Sequence, residues 1–192
     1  VLTIMFSFNV NAQMYHNGIF YIINESECTA EVSFGLDSYG GYSGDIVIPD
    51  TVVSKKVSYK VTSIGCAAFR NSKSLTSVTI PISVTSIADW AFQNCSALTS
   101  ITIPERVTNI GEYSLNGCTA LTSIIWNATD YSTWDKTNHC PVSPFYEIRS
   151  QITSFTFGEK IKHIPAAICC GMKNLTSVTI PNGVTFIGNK AF

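Results

Sequence analysis

Seven cysteines, three histidines and a few carboxylates are the residues of this 192-residue chain whose types could do chemistry. A cysteine hydrolase needs a thiol, a histidine base and an orienting group that converge in space. Cys140 with His163 comes nearest to that set, and no nucleophile signature surrounds either residue. A structural metal centre needs closely spaced donors such as a CxxC pair. None is present; His16, His139 and His163 are scattered, and the adjacent His139-Cys140 has no further donor beside it. Asp89, Glu105 and Glu112 fall at turns, where solvated carboxylates are expected rather than an acid–base pair. Tyr39-Gly40-Gly41-Tyr42 lacks the Lys-Ser/Thr of a phosphate loop. The sequence therefore assigns no catalytic residue, no metal and no cofactor, and the chain is not read as an enzyme.

The cysteines admit two readings. An exported protein uses them in disulfides, but Cys95 and Cys118 occupy one recurring slot that Ser72 and Met172 fill elsewhere. A slot that accepts serine, cysteine or methionine wants a small or apolar filler, and free cysteine behaves as a buried hydrophobe. Cys66 falls at a corner, Cys169-Cys170 on a turn, and Cys28 and Cys140 in irregular segments. The cysteines are accordingly expected to be mostly reduced, with at least one thiol left over unless it pairs between chains.

Charged residues make up only 13% of the chain and the net charge is −1. The polar surface must then come from hydroxyls: serine and threonine together number 42. With no basic field and no run of cations beyond Lys55-Lys56, nucleic acid is excluded as a partner class.

The elements that position these residues follow from internal repetition. Leu75-Thr76-Ser77-Val78-Thr79-Ile80-Pro81 returns as Leu98–Pro104, then in altered form as Leu121–Trp126 and Ile152–Phe157, and again as Leu175–Pro181. A second phrase follows each: Val61–Ile64, Val84–Ile87, Val107–Ile110, Ile161–Ile164 and Val184–Ile187. Apolar and hydroxyl residues alternate in the first phrase, as in a strand with one buried face. Pro81 and Pro104 end it. Gly65, Gly111 and Gly188 allow a corner after the second phrase. Ala68-Phe69, Ala91-Phe92 and Leu115 follow, expected on a helical turn whose bulky residue plugs the core. No unit can bury its apolar side alone, so the units must stack. The fold class is thus a mainly β repeat solenoid with a parallel sheet and a 23-residue period.

These phrases resemble the BspA-like leucine-rich repeats of bacterial surface proteins over residues 44–192. The resemblance implies a right-handed solenoid, display outside the cell, and binding or adhesion without catalysis. The unit that opens at Ile152 departs from the pattern, with Phe157-Gly158 in place of Ile-Pro and Cys169 in place of Phe.

Residues 13–43 do not fit the repeat. Strand-like runs at 18–23 and 30–34 predict a β-hairpin cap for the N-terminal end. A small hairpin is expected at Val53–Tyr59, where the first unit carries extra residues. Leu2–Phe8 followed by Val10-Asn11-Ala12 reads as the remnant of a signal peptide covering residues 1–12. The repeat stops midway at Phe192, so the 44–192 domain is read as truncated, with more repeats following.

The flanking residues of each strand phrase define the candidate site. Ser77, Thr79, Ser100, Thr102, Ser123, Ser154, Thr156, Ser177 and Thr179 are expected to tile one face, which Ile125 and Trp126 interrupt. Tyr131 and Trp134 lie in the eight-residue excess of the fourth unit, where exposed aromatics would add a binding patch; the alternative is that these rings pack back over the sheet edge. The predicted function is a secreted or cell-surface module that binds a host or extracellular protein, or a glycan, without inserting in a membrane. A structural spacer for a further domain, or the non-catalytic part of a larger secreted enzyme, are the other readings.

Overall fold

A computed structural model describes residues 12–35, 41–131 and 143–192. The chain is mainly β. Strands β1 (Ala12–His16), β2 (Ile19–Asn24) and β3 (Thr29–Ser33) form an antiparallel meander. Asn17-Gly18 takes positive φ at both residues (49° and 83°), the two-residue turn that matches strand twist. That turn adds β1 to the hairpin expected from the sequence. Ile19, Tyr21 and Ile23 bury one face of β2.

The meander joins the repeats edge to edge. β3 runs parallel to β6 (Val57–Ile64), with Ala30 opposite Val61 and Val32 opposite Ile64. β5 (Thr51–Ser54) folds back antiparallel on β6, as the extra residues of this unit predict. Lys55 and Lys56 make its turn at φ 48° and 68°, where side chains other than glycine are strained.

Each later unit contributes to two strand columns. The first column holds β4 (Ser43–Val47) paired with β7 (Ser74–Thr79), then β9 (Ser100–Ile103), β11 (Ser123–Trp126) and β12 (Ser154–Phe157) in one parallel sheet. The second holds β6, β8 (Ser86–Ile87) and β10 (Asn109–Ile110), then β13 (His163–Ile164) with β14 (Phe186–Ile187). Along the second column Thr85 bonds Thr62, and Thr108 bonds Thr85, each across 23 residues. In the first column Thr153 reaches Thr122 across 31, because the fourth unit is longer. A short 3-10 helix, Tyr146–Gln151, closes that longer unit.

Where it is described, the turn side of the units is a hydrogen-bonded ladder rather than a helix. Ala67, Phe69 and Asn71 donate their amides to the carbonyls of Asp89, Ala91 and Gln93 in the next unit. Trp90, Phe92 and Asn94 repeat this toward Glu112, Ser114 and Asn116. Left-handed residues recur at Ala67, Trp90, Tyr113, Ala167 and Lys190, which turns the chain where a helix would have continued. Phe69 and Phe92 still plug the core as expected, stacked at 5.0 Å with an interplanar angle of 2°.

At Gly111 and Gly188 the requirement is close approach, not unusual φ. A Cβ on Gly111 would run into the backbone of Ala88 and Asp89, and one on Gly188 into Ala166. Both residues sit where one unit steps directly onto its predecessor, through Gly111 N–H to Ile87 and Gly188 N–H to Ile164.

The cysteine slot is more specific than a hydrophobic filler. The Cys95 thiol donates to the Phe69 carbonyl and the Cys118 thiol to the Phe92 carbonyl, each at 3.1 Å. The hydrogen bond with Cys118, then burial, pushes the Cys95 thiol far above the usual range. Burial alone pushes Cys169 up to about 12. Cys28, Cys66, Cys95, Cys118 and Cys169 are free thiols. The described cysteines are thus mostly reduced, as expected, and Cys170 is the disulfide-bonded one among them.

Candidate functional site

Alternation along the first column sorts its side chains. Val78, Ile101, Ile103, Ile124, Phe155 and Phe157 face the core and are buried. The intervening residues face out, and register aligns them in rows. One row runs through Ser100, Ser123 and Ser154; the other through Thr102, Ile125 and Thr156. On the neighbouring pair of strands, Ser77 lies opposite Asp45 and Thr79 opposite Val47. Ser77 and Ser123 are half-buried, whereas Thr79, Ser100, Thr102, Ser154 and Thr156 are exposed. Ser177 and Thr179 are exposed in the equivalent stretch of the last unit, which forms no paired strand there.

Sequence reasoning missed Asp45 and Val47, although Asp45-Ile46-Val47-Ile48-Pro49 aligns with the strand phrase and marks them. Asp45 accepts hydrogen bonds from Ser77 Oγ at 2.6 Å and Thr76 Oγ1 at 2.8 Å. Those two bonds, Ser77's first, hold its carboxyl below the ordinary carboxylate range. Val47 is 67% exposed, the least covered large apolar side chain on this face. The face is therefore nearly uncharged and hydroxyl-rich, with apolar spots at Val47 and Ile125.

The aromatic part of the predicted patch is corrected. Trp126 is fully buried. Strand parity decides this: two residues on from inward Ile124, Trp126 must also point in, aligned with buried Ile103 and Phe157. Its ring meets Tyr131 edge-on at 5.1 Å and Phe145 at 6.1 Å. Tyr131 is half-buried, and its hydroxyl accepts the Ile110 N–H at 3.1 Å in the second column, away from the hydroxyl face. Trp134 lies outside the described residues. The rings that are described pack back on the sheet, which leaves Ile125 as the exposed apolar residue among the described members of the predicted patch.

Residues 51–137 and 138–192 match the BspA type leucine rich repeat region, in six copies. The chain belongs to the BspA-type leucine-rich repeat family. Solved structures place this member among its kind. A leucine rich cell surface protein from Faecalibacterium prausnitzii A2-165 is 26% identical with a TM-score of 0.55, over 94% of this chain and 46% of that one. A leucine-rich repeat protein from Eubacterium ventriosum is 24% identical with a TM-score of 0.57, over 97% and 50%. The Treponema pallidum leucine rich repeat protein, 16% identical with a TM-score of 0.58 over 92% and 86%, shares the fold. The BspA-type chain thus spans about half the length of the first two. No curated protein matches it.

Proposed function

We propose that this BspA-type repeat chain is an extracellular interaction module that binds a host or matrix protein, or a glycan, through the outward rows of its first strand column. The observation that carries the reading is a continuous exposed face built from Ser100, Thr102, Ser154 and Thr156 around Ile125, with almost no charge. Flat, uncharged hydroxyl rows around an apolar spot offer hydrogen bonds without a desolvated charge. The cell-surface name of the Faecalibacterium relative supports display outside the cell. Among the described residues no helix is long and apolar enough to cross a membrane.

In this reading the units wind as a right-handed solenoid with the β1–β3 meander as its N-terminal cap, shielding the edge of β6. The apolar stretch Leu2–Phe8 followed by Val10-Asn11-Ala12 supports export through a signal sequence, and cleavage after Ala12 leaves Gln13–His16 in β1. Mass spectrometry of the protein secreted from its host should find Gln13 as the N-terminus; retention of residues 1–12 would contradict export by this route.

The purified chain, displayed on a sensor surface and challenged with a panel of matrix proteins and glycans, should bind at least one saturably. A Thr102→Arg, Ile125→Glu double variant should lose about tenfold or more in affinity, near 1.4 kcal/mol. Absence of any binder would favour the spacer reading, and a binder indifferent to the double variant would remove this face from the account.

A further inference from the structure

Among the described residues no second-column strand stands between β10 and β13. Both sides of the gap are blunted. The Ile110 N–H on the β10 side goes to the Tyr131 hydroxyl, not to a strand carbonyl. On the β13 side Pro165 stands in the slot from which Ala88, Gly111 and Gly188 donate to the preceding unit. Proline has no N–H to give, so an extended peptide gains little by adding a strand here.

Beside Tyr131 and β13 lies a cleft of about 260 Å³, lined by Thr129, Asp130, Tyr131, His163, Pro165 and Phe186. Its walls are rings. Phe186 is 51% exposed, and His163 packs edge-on against it at 6.0 Å and 85°. Tyr131 is held from behind by buried Trp126. Asp130 supplies the one carboxylate of the lining, and no hydrogen bond or ion pair engages it among the described residues. The nearby cations are turned elsewhere: Lys160 pairs with Glu105 at 2.9 Å, and the Lys162 ammonium lies beside Gly183.

We propose that this cleft receives an arginine side chain of a protein partner. A carboxylate accepts a guanidinium at two points. A planar cation also rests on aromatic faces, which a compact ammonium exploits less well. Trp126 backs Tyr131 and His163 packs on Phe186, so the ring walls need little ordering on binding. The proposal rests on the reading of the chain as an interaction module, but it uses a site separate from the hydroxyl rows.

The test is a heteronuclear NMR titration of the whole chain with a blocked Gly-Arg-Gly peptide, set beside its citrulline and lysine counterparts. Arginine should shift the amides of Asp130, Tyr131, His163 and Phe186. Citrulline, which keeps the shape and loses the charge, should bind about tenfold more weakly or worse, and Asp130→Asn should weaken arginine binding to the same degree. Phe186→Ala should lower affinity severalfold, and lysine should bind more weakly than arginine. No arginine-dependent shifts, equal shifts from citrulline, indifference to Asp130→Asn, or shifts confined to other surfaces would each overturn the proposal. The Thr102→Arg, Ile125→Glu variant should leave the arginine titration unchanged. Failure at the cleft is therefore distinguishable from failure of the hydroxyl face.

Discussion

Replacing Trp126 by alanine removes an indole that fills the junction of β11 with Tyr131 and Phe145. Its loss should cost about 3–5 kcal/mol, read from urea denaturation. Ile125→Ser, one residue away on the exposed face, should change stability by no more than about 0.5 kcal/mol. Equal effects at the two positions would mean that the strand parity is wrong. That parity was legible in the sequence, since Ile124 and Trp126 are two residues apart, yet aromatic clustering suggested a surface patch. Thiol chemistry separates in the same way. A thiol reagent at pH 8 should label Cys28 and Cys66 in the native protein and spare Cys95, Cys118 and Cys169, all of which should react after unfolding. Because Cys169 has its folded pKa raised to about 12 from 9.0, it stabilises the fold fully below pH 9. That contribution is lost as pH rises from 9 toward 12, so the melting temperature should fall over this window. A Cys169→Ala variant, compared with wild type, should show a shallower fall.

Elements were read best where one physical rule decided them. Alternating phrases yielded the first-column strands, and the surplus length of the first unit yielded the β5–β6 hairpin. The turn ladder was not legible, because positive φ at Ala67, Trp90 and Tyr113 leaves no mark in residue types that do not prefer it. The β1 strand was missed, although Asn17-Gly18 is a strong hairpin signal that marks it. The Lys55-Lys56 turn asks the same conformation of two lysines. Asn-Gly in their place should raise stability by about 0.5–1 kcal/mol. Gly111→Ala should do the reverse by about 1–3 kcal/mol, because its Cβ meets the backbone of Ala88 and Asp89. Gly41→Ala, with open space around it, is the control and should be close to neutral. Thermal melts of the three variants would check the order.

At the scale of the whole molecule, stacking makes every unit depend on its neighbours. Val61 and Ile64 are fully buried because β3 covers the outer edge of β6. Deleting residues 12–35 should therefore bare an apolar parallel edge, and the truncated chain should aggregate where the full chain does not. The repeat grammar carries the architecture but not the partner, because the hydroxyl residues that favour β-structure are also the ones that would bind. Hydrogen–deuterium exchange on the chain with and without a binder from the panel separates these two uses of the same residues. The account predicts slowed exchange concentrated at 100–102, 123–125 and 154–156, with the turn ladder at 89–94 and 112–116 unchanged. Protection confined to the turn ladder or the meander, with none on the first column, would contradict it.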